Sequence, residues 1–184
     1  MIWRTINLNY IKVNYIGNIR AILKLYINHQ LILSTQAFVG KNGVTRKHIE
    51  GDGKTSLGIY ELGIIFGTHS KDEIQIKDYI QINKYLYWVD DVKSTYYNKM
   101  VDITKVKRDW KSAEHLIEYQ KQYEYAIEIK TNIKNIPGKG SAVFLHCSTG
   151  NPTEGCIAID RESMIQIIEC IKKYGKNNIN IEIM

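Results

Sequence analysis

Proline is nearly absent: the chain of 184 residues holds 2, against 13 tyrosines. Proline removes a backbone donor from a sheet, so its scarcity beside so much tyrosine favours a strand-rich, well-ordered chain. Cysteine is sparse and odd in number, at 3, which excludes a complete disulfide framework. No Cys/His spacing matches a zinc site, so no metal is expected. No apolar run approaches the roughly 18 residues of a membrane span, so no membrane span is expected. A hydrophobic content of 44% points away from both disorder and a membrane protein. Gly51, Gly53 and Gly58 flank Lys54-Thr55, but the Walker spacing is missing and no helix follows, which speaks against a phosphate loop. No cofactor is expected.

The net charge is +6. A basic surface suits an anionic partner such as nucleic acid, an anionic membrane or a wall polymer. The lysines are dispersed among acids and aromatics, and no nucleic-acid motif occurs, so no nucleic-acid partner is expected. Met1–Asn7 has no apolar core and no small-residue cleavage site, so no signal peptide is visible.

Along the chain, residues 1–18 alternate loosely and predict edge strands. Ala21–Ile27 and Leu31–Val39 read as a hairpin around Asn28-His29-Gln30. Gly51–Gly63 reads as a loop entering a strand that continues through Gly67. Residues 68–122 read as an irregular insertion or cap, with aromatics from Tyr79 to Tyr97 that suit a core better than a peptide-binding wall. Asp109–Leu116 suggests a short helix or turn. His69 reads as a solvated loop residue. Tyr123–Lys130 alternates as a strand, and Gly140–His146 as another. Asp160 is a fitting N-cap for a helix over Arg161–Tyr174, with Met164, Ile167, Ile168 and Ile171 on one stripe and Gly175 as its stop. Ile179, Ile181 and Ile183 alternate in a final strand. No repeat or linker divides the chain, so one domain over 1–184 is expected.

One stretch carries chemistry. The strand ending Phe144-Leu145-His146 is followed by a polar loop and then Thr153-Glu154-Gly155-Cys156 before Ile157-Ala158-Ile159. A cysteine nucleophile needs a base within hydrogen-bond reach and donors for a developing oxyanion. Pairing of the two strands brings His146 and Cys156 to one end of a sheet. Cys147 alternates to the face opposite His146 and is assigned to packing. Cys170 reads as partly buried and inert.

This segment resembles the catalytic signature of the L,D-transpeptidase (YkuD-type) family, a strand ending in His followed by Ser/Thr-x-Gly-Cys. Lys54-Thr55-Ser56-Leu57-Gly58-Ile59-Tyr60 resembles the family's Lys-Thr-Pro-x-Gly-x-Tyr/Phe turn, with Ser56 where Pro is usual. Tyr87-Trp88-Val89-Asp90-Asp91 and Tyr96-Tyr97-Asn98 resemble segments of a subgroup. The likeness is strongest over residues 20–184. It departs from the common pattern at Glu154, which replaces a second histidine, and at Ala158, where Arg or Asn is frequent. The His-to-Cys interval of ten residues is also shorter than in most members.

The resemblance implies a mainly β fold with α elements: a mixed, sandwich- or barrel-like sheet and a helix in the C-terminal region. It implies a peptidoglycan L,D-transpeptidase working through a thioester on Cys156, with His146 as base. The alternatives are an L,D-carboxypeptidase trimming tetrapeptide to tripeptide, or a non-catalytic wall-binding module. Backbone N–H groups of Gly155 and Cys156 are the expected oxyanion donors. Thr153 and Glu154 are expected to shape the site, with the Glu154 carboxylate able to raise the thiol pKa. Tetrapeptide stems are the implied partner and carbapenem-type β-lactams the implied inhibitors. The implied place is the bacterial cell envelope, periplasm or exterior, reached through a trimmed leader, a non-standard route or delivery by another machine.

Overall fold

Alternating buried and exposed residues build the first three strands. In a computed structural model that describes residues 8–47 and 49–184, these are β1 (Asn9–Gly17), β2 (Arg20–Ile27) and β3 (Gln30–Phe38). The part of the predicted edge strands in residues 1–7 lies outside the described residues, and β1 is an interior strand instead of an edge, paired with β2 on one side and with Ile179–Ile183 on the other. Asn28 and His29 turn the β2–β3 hairpin with φ of 49° and 64°, the left-handed pair that matches strand twist.

Then follow β4 (Val44–Thr45), β5 (Thr55–Ser56), β6 (Gly58–Gly67), α1 (Lys71–Ile74), β7 (Tyr79–Gln81), β8 (Leu86–Val89), β9 (Lys99–Asp102) and β10 (Ala113–His115). The chain ends with β11 (Tyr125–Ile129), β12 (Phe144–Cys147), β13 (Ile157–Ile159), α2 (Arg161–Tyr174) and β14 (Ile179–Ile183). One sheet runs β11-β12-β13-β3-β2-β1-β14-β6-β7, and β11 also pairs with β6, so the sheet closes on itself. Closure removes the open edges that a flat sheet would expose. The mainly β, barrel-like expectation matches this arrangement.

The barrel interior is aliphatic, with Ile11, Val13, Leu23, Leu25, Ile127, Leu145, Ile157 and Ile181 among its members. Helix α2 lays Met164, Ile167, Ile168 and Ile171 against it. Asp160 caps that helix by accepting from Ser163 N–H at 2.8 Å, and Gly175 ends it with φ 82°.

A second core lies on the other face of β6, β11 and β12. Phe66, Trp88, Tyr123 and Phe144 form it, with Phe144 edge-on to Trp88 at 4.8 Å and to Phe66 at 5.1 Å. The segment expected to be irregular supplies its cover through a three-stranded sheet, β10-β8-β9. Tyr79, Trp88 and Tyr97 are fully buried, as a core role requires.

Three further particulars differ from the expectation. Ala113–His115 is a strand rather than helix or turn, because it pairs with Tyr87–Val89 of β8. Residues 140–143 are not strand: Gly140 and Ala142 take φ of 88° and 52°, which breaks the ladder before Phe144. His69 is held rather than solvated, stacked on Tyr125 at 4.7 Å and bonded to Glu124 at 3.0 Å.

Candidate active site

Strands β12 and β13 run parallel, with Leu145 beside Ile157 and His146 beside Ala158. Side chains alternate along each strand. Leu145, Cys147, Ile157 and Ile159 therefore enter the barrel core, while Phe144 and Cys156 join the aromatic core. His146 shares that second face, its ring edge-on to Tyr123 at 5.7 Å. His146 and Cys156 thus stand on one face, one strand across and two residues along. Cys147 points the other way, its S–H toward Tyr125 O at 3.9 Å, and burial pushes its thiol up to about 11.

The His146 Nδ1 lies 2.9 Å from the Cys147 carbonyl oxygen. A carbonyl only accepts, so Nδ1 carries the proton and Nε2 keeps its lone pair for the site. Burial holds the imidazole below its ordinary pKa, which favours this neutral form. Sequence reasoning found no side chain to orient His146; the group that does so is this backbone oxygen.

Cys156 is buried, at 9% exposure. Its thiol donates to Ala142 O at 3.2 Å and accepts from Phe144 N–H at 3.3 Å. Desolvation, and then the charge of Glu114, push the thiol pKa well up, opposed by the Phe144 N–H. The resting pair is a thiol and a neutral imidazole, with the thiol S–H donating to the Ala142 carbonyl rather than to His146.

Hydroxyls buried on both sides hold the turn before Cys156. Thr153 Oγ1 donates to Cys156 O at 2.6 Å and accepts from Gly155 N–H at 3.2 Å. Thr55 Oγ1 accepts from Gly40 N–H at 2.8 Å and donates to Gly155 O at 2.9 Å. Gly40 permits the close packing here, since a Cβ there would collide with Gly53 O. The Gly155 N–H, an expected oxyanion donor, is thus engaged by Thr153 at rest.

Glu154 behaves otherwise than expected. Its carboxylate leaves the site and pairs with Lys41 at 2.7 Å, both side chains being well exposed. The carboxyl that the thiol feels belongs to Glu114. Glu114 accepts from the Tyr123 hydroxyl and is pushed up to about 7 by burial.

Sequence reasoning placed Asn98 in a segment of family likeness without a role and gave Asn132 none. Asn98 Oδ1 accepts from Ala142 N–H and from Trp88 Nε1, each at 3.2 Å. Asn132 Nδ2 donates to Gly140 O at 3.0 Å and to Ile136 O at 2.9 Å. Together they fix the loop that carries Ala142 over the thiol. Asn98 and Trp88 also line a cavity of about 380 Å³ with Ile64, Met100 and Asn132. Among the described residues, no cluster of His, Cys, Asp and Glu is arranged to hold a metal.

No curated protein sequence matches the chain. Among solved structures, the helical cell shape determining protein Pgp2 from Campylobacter jejuni superposes with a TM-score of 0.50 at 14% identity, over 95% of this chain and 46% of that one. The chain thus spans less than half the length of Pgp2, and at this identity the likeness concerns the fold. Mycobacterium tuberculosis L,D-transpeptidase 1 aligns at 12% identity with a TM-score of 0.39, over 95% of this chain and 62% of that one. The family model YkuD, described as the L,D-transpeptidase catalytic domain, matches residues 9–179. With that match spanning nearly its whole length, the chain belongs to the YkuD family of L,D-transpeptidase catalytic domains.

Proposed function

We propose that the chain is a cysteine-dependent peptidoglycan L,D-transpeptidase. The observation that carries this reading is the placement of His146 and Cys156 on one face of adjacent parallel strands. Nδ1 is tied to a carbonyl, which leaves Nε2 as the free base.

In the first half-reaction, His146 Nε2 takes the thiol proton as Sγ leaves the Ala142 carbonyl. The thiolate attacks the carbonyl carbon of the third stem residue, and the C=O electron pair moves onto oxygen. Backbone N–H groups of Cys156 and Gly155 face that oxyanion, the latter after release from Thr153. The C–N bond breaks as the imidazolium protonates the departing D-amino acid. The resulting thioester then passes to an acceptor amine, with His146 taking the amine's proton and the Cys156 thiol regained. Attack by water instead of an amine gives the carboxypeptidase outcome on the same machinery.

Tetrapeptide stems in the cell envelope are the proposed partner, and carbapenem-type β-lactams are proposed to acylate Cys156. Among the described residues, no helix is long and apolar enough to cross a membrane.

The deciding experiment is mass spectrometry of products from a disaccharide-tetrapeptide, comparing wild type with Cys156→Ala and His146→Ala. Cross-linked dimer from wild type alone supports the transpeptidase; tripeptide without dimer replaces it with the carboxypeptidase. Absence of product from all three removes both and leaves a wall-binding role.

A further inference from the structure

Tyr123, which is buried, and Glu114, which is half-buried, are titratable groups to which the reaction above gives no task. Glu114 sits on β10 opposite Trp88 of β8, so its side chain lies on the face of the aromatic core, although the residue as a whole is only half-buried. Its oxygen is held by the Tyr123 hydroxyl. Tyr123 is 4% exposed, and its ring meets Phe144 at 5.5 Å and His146 at 5.7 Å, both edge-on. Phe144 is the residue whose N–H reaches Cys156 Sγ. The charge of Glu114 acts on the thiol, and the charges of Glu114 and of the thiol act on Tyr123. A carboxyl, a phenol, an imidazole and a thiol therefore share one water-poor space.

We propose that Glu114 is a positioning residue for Cys156: with Tyr123 it forms a buried carboxyl–phenol pair whose charge state sets how readily the thiol gives up its proton. The proposal rests on the catalytic reading of Cys156 given above. With Glu114 ionised, a like charge opposes formation of the thiolate; with Glu114 protonated, the opposition disappears. The surroundings reinforce this sense. The groups acting on Glu114 are Tyr123, Asp90 and Glu50, and Glu114 in turn acts on Tyr119 and Cys156. All are acids, phenols or a thiol, and no cation is among them. The neighbouring His115 turns to the other side of β10, stacked on Tyr87 at 4.3 Å and bonded to Glu118 and to Lys84 O. Glu118 is exposed and engaged by that histidine. Burial places the Glu114 titration at about 7, inside the range where a thiol enzyme works.

The test is the pH profile of iodoacetamide alkylation at Cys156, read by peptide mass mapping so that Cys147 and Cys170 are separated. Wild type is compared with Glu114→Gln and Tyr123→Phe, each checked for a cooperative thermal transition, and kcat and KM are measured on the disaccharide-tetrapeptide in parallel. Glu114→Gln is expected to match wild type below about pH 6 and to react roughly three- to tenfold faster above about pH 8. Tyr123→Phe keeps the ring but removes the hydroxyl that stabilises the carboxylate. It is expected to move the inflection to higher pH without abolishing it. The kcat profile of Glu114→Gln is expected to lose the same inflection.

Alkylation profiles that coincide in all folded proteins overturn the proposal. If Glu114→Gln does not fold, Tyr123→Phe decides alone, by the presence or absence of the shifted inflection. An active wild type with coincident profiles overturns the role of Glu114 only. A wild type inert toward the tetrapeptide but showing these shifts overturns the substrate reading and leaves the control of the thiol standing.

Discussion

The carbonyl of Ala142 accepts a hydrogen bond from the Cys156 thiol at 3.2 Å, and Ala142 adopts a φ of 52° in doing so. A left-handed alanine is disfavoured by contact of its Cβ with backbone oxygen. The strain is maintained because Asn98 holds the Ala142 N–H on the opposite side. Valine in the left-handed region is far worse than alanine, since its branch adds to the same clash. Ala142→Val is therefore expected to destabilise the fold by about 1–3 kcal/mol. Ala142→Gly is expected to stay within about 1 kcal/mol of wild type, as relief of strain offsets lost rigidity. Urea unfolding of the two variants measures the contrast, and equal losses would show that φ at this position stores no strain.

Thr55 joins parts of the chain far apart in sequence: its hydroxyl takes Gly40 N–H and gives to Gly155 O. Thr55→Val keeps the shape but leaves a buried donor and a buried acceptor without partners. The expected loss is about 1–3 kcal/mol for an unsatisfied buried group. Loosening of the Gly155–Cys156 turn should also lower kcat more than it raises KM, on the order of tenfold or more. Thr55→Ser, which keeps the hydroxyl, is expected to recover most of both. Failure of serine to rescue would assign the effect to the lost methyl and not to the hydrogen bonds.

What the sequence discloses follows the range of the forces involved. Helix α2 is legible because its apolar stripe, its Asp160 cap and its Gly175 stop are all local. The β2–β3 hairpin is legible for the same reason. The strand ending at His146 and the Gly155-Cys156 turn are recognisable as a motif, and strand alternation alone sets Cys147 on the opposite face. Glu114 is not legible, since it acts on a cysteine 42 positions away only because β10 folds over the aromatic core. Nor is the left-handed Ala142, for alanine carries no preference that announces it. Glu154 misleads for the complementary reason: adjacency in sequence suggests influence on the thiol, yet the turn directs its carboxylate to Lys41.

That exposed pair makes a sharp contrast with Glu114. Surface ion pairs are screened and weak, so Glu154→Gln is expected to change stability by no more than about 1 kcal/mol. The alkylation rate of Cys156 should remain at the wild-type value across the pH range, because Glu154 does not act on the thiol. A clear rise in that rate would mean that the Glu154 carboxylate reaches the thiol in solution, and that the ion pair with Lys41 is not maintained.

Glu114 also leaves a mark on stability that needs no substrate. Its carboxyl titrates at about 7 in the folded chain, against an ordinary value of 4.5. Between these values the folded state holds a proton that the unfolded state has released. Stability contributed in this way is present below about pH 4.5 and is lost as pH rises through about 7. Wild type should therefore weaken by on the order of 2–3 kcal/mol across this window relative to Glu114→Gln, which has no proton to lose. Comparison of the two proteins cancels the carboxylates whose pKa is lowered, such as Glu124 beside Arg161, whose contribution runs in the opposite direction. Urea midpoints measured from pH 4.5 to pH 8 should converge at the acid end and separate toward the basic end, with Glu114→Gln the more stable. Parallel midpoints throughout would mean that the carboxyl is hydrated in the folded chain, and that the space behind Cys156 is not as dry as its aromatic lining implies.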